Sequence, residues 1–387
     1  MRWMAVALVL AGCSFEHGTL GAISLDAPVD AGPAHCLDGW CLRKPIQIAG
    51  AQVSGPQQDF VLLVRTAADP ELAAASTTGE DFRFTTATGQ PLPYERQRYV
   101  PATGELIAWV KLPMLPAADT TLYLYYGKAG VTDQQDVTAT WGASYAGVWH
   151  LDETSTSTTA ADASGNHNTG TALNVFSRLA AGGPTFGAAG AIGEAVTFDG
   201  ADDELEMPKS TSLSATTGLA TFALWIKWTS LTAADYQRVL SSSNRFNSGV
   251  NEDGYEWAAQ PAGDFFLYAW GGREDYNLGP NPFTAGTWQY LVATLDFSTT
   301  SVKIYVDAQP MMFTTVNESA WSSKGDPGNW CWGANSNPTA AGPFGGGMDE
   351  IRVMHGAKDA SWIATSYANQ RPDSTMVTIG AQQILEP

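Results

Sequence analysis

Short runs in which apolar residues alternate with small or polar ones, each closed off by glycine or proline, recur along most of the chain. Phe60-Val61-Leu62-Leu63-Val64, Phe82-Arg83-Phe84, Leu106-Ile107-Ala108-Trp109-Val110 and Thr121-Leu122-Tyr123-Leu124-Tyr125-Tyr126 follow one another in the first part. Thr221-Phe222-Ala223-Leu224-Trp225-Ile226, Trp288-Gln289-Tyr290-Leu291-Val292 and Lys303-Ile304-Tyr305-Val306 do so further on. A period of about two puts one face of each segment in a core, whereas a helix repeats at about 3.6. The pattern therefore predicts an all-β chain built of sandwiches. One helix is expected, Asp359 to Asn369, where Trp362, Ile363, Ser366 and Tyr367 share a face.

The 387 residues suit two domains with sizeable cores. Only 15% are charged, 11% are aromatic, and the formal charge is −19, one lower once Arg2 leaves with a signal peptide. So acidic a surface does not seek nucleic acid or anionic lipid. An uncharged, turn-rich, aromatic-rich chain points instead to extracellular β structure.

The first thirteen residues, Met1 to Cys13, hold one basic residue, an apolar stretch and then small residues, which is a signal-peptide layout. The stretch is well short of the roughly 20 residues that span a bilayer. Leu10-Ala11-Gly12-Cys13 resembles the bacterial lipobox. That resemblance implies cleavage before Cys13, a lipid on its thiol, and an envelope location held by the buried acyl chains. Ser14, in place of aspartate, implies the outer membrane or the cell surface. Small, polar, proline-bearing sequence from Ser14 to Pro33 reads as a tether.

Of the other cysteines, Cys36 and Cys41 flank Gly39 in a short loop and are expected to be bonded in an oxidising compartment. Cys331, between Trp330 and Trp332, reads as a buried thiol. The spacings do not suit a zinc site.

Five motifs in order, Arg43-Lys44-Pro45-Ile46, Gly79-Glu80-Asp81-Phe82-Arg83-Phe84, Leu92-Pro93-Tyr94-Glu95, Trp109-Val110-Lys111-Leu112-Pro113 and Leu124-Tyr125-Tyr126-Gly127, resemble the domain of unknown function DUF2341. Beyond it, Gly147-Val148-Trp149-His150-Leu151-Asp152-Glu153, Asp162-Ala163-Ser164-Gly165-Asn166-His167, Val196-Thr197-Phe198-Asp199-Gly200 and Gly347-Met348-Asp349-Glu350-Ile351 resemble a laminin-G-like, concanavalin A-like jelly roll. The expected order is a signal peptide over 1–12, a tether over 13–38, a DUF2341-like sandwich over 39–140 and a jelly roll over 141–385.

The superfamily resemblance implies one Ca²⁺ in loops at the sandwich margin, and oxygen ligands of negative charge suit that hard cation. Candidates are Asp162, Asn166, Asp199 and Asp349, with Asp162 and Asp349 expected to approach each other. Asp202, Glu204 and Glu206 alternate on one face, as a sugar-cleaving carboxylate pair would. The Glu-x-Asp-x-x-Glu run of laminarinase-like relatives is absent, however, and a solvated acidic strand is the expectation. His150 reads as packing and not as a base, and nucleophilic hydrolysis has no motif. Among the loop and strand aromatics, Trp257, Trp270 and Tyr276, with Arg273 beside them, are the candidate ligand contacts. The expected function is non-catalytic recognition of a glycan or a protein from the envelope surface. A glycoside hydrolase, or a structural envelope protein, is the alternative.

Overall fold

The computed structural model describes residues 35–387 apart from 214–218, 232–235, 243–254, 260–263, 270–274, 281, 297–298, 300, 314, 317–328 and 336–341. The first domain holds β1 (Leu42–Ile48), β2 (Gln57–Thr66), β3 (Arg83–Thr86), β4 (Tyr94–Val100), β5 (Glu105–Leu115) and β6 (Thr120–Tyr126). Two short helices, α1 (Pro70–Ala75) and α2 (Val137–Trp141), lie at its margin. One sheet has the order β2-β5-β4. The other runs β3-β6-β1 and is completed by β24 (Val377–Ile379) and β25 (Gln383–Ile384), both antiparallel to β1. Residues 377–384, grouped with the jelly roll in the sequence reading, thus finish the first domain.

The second domain is a sandwich of two larger sheets. Its eight-stranded sheet takes β7 (Tyr145–Trp149), β10 (Thr185–Ala189), β11 (Glu194–Asp199), β13 (Leu219–Trp228), β18 (Gln289–Asp296), β19 (Ser301–Val306), β20 (Gln309–Pro310) and β23 (Gly345–His355). Facing it, the nine-stranded sheet takes β8 (Thr159–Ala160), β9 (Gly170–Asn174), β12 (Asp203–Met207), β14 (Gln237–Ser241), β15 (Tyr255–Ala259), β16 (Asp264–Ala269), β17 (Asp275–Pro280), β21 (Thr315–Val316) and β22 (Trp330–Trp332).

Strand β13 explains how the two domains meet. Phe222, Leu224, Ile226 and Trp228 point between the two sheets of the jelly roll, each burial contributing about 1.5–3 kcal/mol. Ala223 and Trp225 point the other way, into a core shared with Phe60, Leu62 and Trp109 of the first domain. Helix α3 (Ala360–Gln370) lies in that second core. Its cap Asp359 accepts from Trp362 N at 2.7 Å, Trp362 meets Phe60 edge-on, and Tyr367 stacks on Tyr290. The central strands β13, β18 and β23 of the eight-stranded sheet are therefore buried on both faces.

Candidate functional site

A largely polar row of residues crosses the outer face of the nine-stranded sheet. Alternation sends Leu205, Trp332, Leu240 and Trp257 inward to the core, so their neighbours in sequence face outward. Register places Glu206 opposite Cys331, Cys331 opposite Ser241, and Ser241 opposite Glu256, in one row across β12, β22, β14 and β15. Asn335 Nδ2 donates to Ser241 Oγ at 3.0 Å, and Arg238 Nε donates to Glu256 Oε1 at 3.0 Å.

At the β12 end a turn crosses the row. Asn174 Oδ1 accepts from Phe176 N and Ser177 N at 3.0 and 2.9 Å, and Arg178 N returns to Asn174 O at 2.8 Å. Arg178 is held at φ 58°, a left-handed conformation uncommon for a residue with a side chain. From there its guanidinium reaches Glu204 through Nη1 and Glu206 Oε2 through Nη2, the latter at 2.5 Å. Phe176 and Leu179, on either side, are 58% and 60% exposed. The acidic strand is not solvated, contrary to expectation: Glu204 is fully buried, because this turn folds over it.

Trp257, an expected ligand contact, is a core residue. Its position opposite Leu240 and Leu267 turns it inward, and it meets Phe222 at 5.5 Å. Tyr276 pairs through its backbone with Val316 on β21. Trp270 and Arg273 lie outside the described residues, as does Cys13. Cys36 and Cys41 are joined, and Cys331 is buried.

The expected calcium ligands are dispersed. Asp162 accepts from Val148 N, Ser164 N, Ser164 Oγ and Asn168 N, and so ties its own loop to β7. Asn166 donates to the carbonyls of Tyr145 and Ala146. Asp349 is buried, with Oδ2 accepting from Ile192 N at 2.8 Å, and it shares no partner with Asp162. Of the four, Asp199 belongs to a carboxylate cluster among the described residues: oxygens of Asp199, Asp202 and Asp203 come within 4.8 Å of one another. This all-oxygen set fits a hard cation, with Asp199 Oδ1 already oriented by Ala201 N. Burial, together with the charges of Asp199 and Asp202, pushes Asp203 up to about 7.

Sequence reasoning missed Phe176 and Arg178, since nothing in the sequence links a turn at 174–179 to a strand at 203–207. It also missed a buried charge cluster between the domains, in which Glu95, His150, Glu350 and Arg352 bond in series.

A family model described as the concanavalin A-like lectin/glucanases superfamily matches residues 199–364. A second, described as the domain of unknown function DUF2341, matches residues 78–166. No curated protein matches the sequence. Among solved structures, the binding domain of Paraclostridial Mosquitocidal Protein 1 is 11% identical with a TM-score of 0.44, over 58% of this chain and 52% of that one. This chain thus spans about half of that relative. Domain 4 of AbnA, a GH43 extracellular arabinanase from Geobacillus stearothermophilus solved with arabinotriose, is 20% identical with a TM-score of 0.40, over 58% of this chain and 98% of that one. Trypanosoma rangeli sialidase in complex with the inhibitor DANA is 11% identical with a TM-score of 0.42, over 65% of this chain and 40% of that one. The two matches follow one another along the chain, the one to DUF2341 first and the one to the concanavalin A-like lectin/glucanases superfamily second.

Proposed function

We propose that this protein is a non-catalytic recognition protein, anchored in the cell envelope by lipid on Cys13, whose second domain binds a glycan where the Arg178 turn crosses the nine-stranded sheet. One observation carries the reading. An exposed aromatic ring, Phe176, lies two residues from a guanidinium fixed on two carboxylates, Glu204 and Glu206. A ring of this kind accepts the C–H face of a sugar, while charged groups beside it take the hydroxyls. The outer membrane or the cell surface is the location that fits a tethered binder.

The second reading, hydrolysis, is favoured by Glu206 and Glu256 standing on one row. Three strand spacings separate them, about 14 Å, and side chains stand roughly perpendicular to a sheet. Glycosidase carboxyl pairs lie roughly 5–10 Å apart. The separation supports binding over cleavage. Calcium at Asp199, Asp202 and Asp203 is part of the same proposal, as an ion that would stiffen the loop before β12.

A glycan array on the processed protein tests the reading. Hits are expected to disappear in a folded Phe176→Ala, Arg178→Ala double variant, and oligosaccharides incubated with the protein should gain no reducing ends. Unchanged binding by the double variant sinks the placement, and release of reducing ends sinks the non-catalytic assignment.

A further inference from the structure

His150, just beyond β7, is bracketed by carboxylates from both domains. Its Nδ1 lies 3.0 and 2.9 Å from the two oxygens of Glu350 on β23, and its Nε2 lies 3.1 Å from Glu95 Oε2 on β4. A neutral imidazole has one N–H and can donate to one carboxylate only, so donation to two ionised carboxylates takes the imidazolium. Trp141 Nε1 donates to the same Glu95 oxygen at 2.5 Å, and Arg352 Nη2 donates to Glu350 Oε2 at 2.9 Å. The Trp109 ring is stacked near His150 at 5.9 Å and lies 4.1 Å from the Arg352 guanidinium. Two cations and two anions thus close to neutrality behind indole rings. Glu95, Trp109, Trp141 and His150 all fall within the DUF2341 match, while Glu350 and Arg352 belong to the jelly-roll match.

We propose that His150 is a proton-operated pin in this joint: as imidazolium it holds the corner made by α2 and β4 against β23, and loss of its proton releases that corner. Without the proton, one of the two carboxylates faces a nitrogen lone pair in a buried site, and an uncompensated charge there is strongly unfavourable. The apolar core shared by the domains stays in place, so the release is local.

Other charged groups face the ring. Asp349, beside Glu350, is held toward its neutral form by burial and by the Glu350 charge, and burial does the same to Glu153 beyond the ring. Asp152, also beyond it, is paired with Arg98. For His150 itself burial opposes the charge, but Glu350 and Glu95 outweigh it and hold the ring well above its ordinary titration. The sign follows. The closed joint binds the proton more tightly than the open one, so closure is fully favoured below about pH 6.5. Above that, the opening equilibrium rises about tenfold per pH unit until the ring titrates in the closed state.

Hydrogen exchange of the full chain in detergent tests this, compared as protection factors so that the intrinsic pH dependence of exchange cancels. Between about pH 6 and pH 9, protection over β4 and α2 should fall while that of β13 and β18 stays constant. His150→Gln should lack that protection at every pH. Glu95→Gln retains an acceptor for Trp141 and His150 but lacks the charge, and should end the fall at a lower pH, with a smaller total loss of protection. Flat protection in the unsubstituted protein overturns the proposal, as does a Glu95→Gln profile that superimposes on it. If His150→Gln does not fold, these two arms decide.

Discussion

Asn369 clasps the backbone of Leu63 with both ends of its amide: Leu63 N–H donates to Oδ1 at 2.7 Å, and Nδ2 donates to the Leu63 carbonyl at 3.0 Å. Leu63 lies on β2, the outermost strand of its three-stranded sheet, and is buried. An edge strand there exposes backbone groups that water cannot reach, and Asn369 stands in for the missing neighbour. Helix α3 makes further contacts along its length: Ser54 N donates to Thr365 Oγ1, and the side-chain amide Nε2 of Gln57 donates to Ser361 Oγ. Asn369→Ala leaves a buried N–H and a buried C=O unmet, at about 1–3 kcal/mol each. We expect a loss of about 2–4 kcal/mol in urea unfolding, and a loss below about 1 kcal/mol would contradict the account.

Asp349 supplies a pH-dependent prediction with an unusual direction. Burial first, then the adjacent Glu350 charge, push its carboxyl well above the ordinary range. The nearby Arg65, whose guanidinium donates to the carbonyls of Ala191 and Arg371, interacts with Asp349 through charge, but burial outweighs it. A carboxyl raised in the folded state stabilises the fold below its unfolded value, about 3.9, and that contribution is lost as pH rises through the folded value. Asn mimics the neutral acid and has no proton to lose. Asp349→Asn should therefore melt a few degrees higher than the unsubstituted protein at neutral pH, with the difference shrinking toward about pH 4. Calorimetry at both pH values checks it, and a variant that melts lower at neutral pH contradicts it.

How far the sequence reached is visible in these same elements. Helix α3 was legible because apolar spacing is local. The strands were legible for the same reason, since alternation around Leu62, Trp109 and Leu224 needs no knowledge of partners. What covers the second face of β13 was not legible. Trp225 reads as the outward member of an alternating strand, and only the arrival of α3, some 135 residues later, buries it. Trp257 failed as a ligand contact for a related reason: whether an aromatic on a strand faces the core depends on register with β14, which a single sequence does not fix. The Arg178 contact joins segments whose pairing is equally invisible.

Calcium is testable at the one acidic triple among the described residues, Asp199, Asp202 and Asp203. A divalent ion would offset the mutual repulsion that, together with burial, raises Asp203. The melting temperature should be higher in millimolar calcium than in excess chelator, because an ion that binds only the folded chain stabilises it by mass action. Asp202→Asn should abolish the difference without changing the value in chelator by more than about a degree or two. Identical midpoints with and without the ion would remove calcium from this loop.

The Cys36–Cys41 loop does more than close itself. Cys36 N donates to Glu386 O at 2.7 Å, and Leu385 N donates to Cys41 O at 2.8 Å, so the loop forms one side of the seat for residues 383–386. Leu385 is buried there with Trp40 and Tyr125, and the Lys128 ammonium lies 4.0 Å from the centre of the Trp40 ring. In a closed loop this short, the chain-entropy contribution of the disulfide is about 2 kcal/mol. Reduction should lower stability by about that amount, and it should act first on 383–386, which would lose exchange protection before β1 or β6 does. Those strands are held by Ile46, Ile48, Leu122 and Leu124, which pack in the first domain's core with Phe84. A Cys36→Ser, Cys41→Ser double variant should reproduce the reduced state and show no further response to reductant. Equal protection of 383–386 in oxidised and reduced protein would mean that the Leu385 contacts alone hold the segment, and that the disulfide is incidental to it.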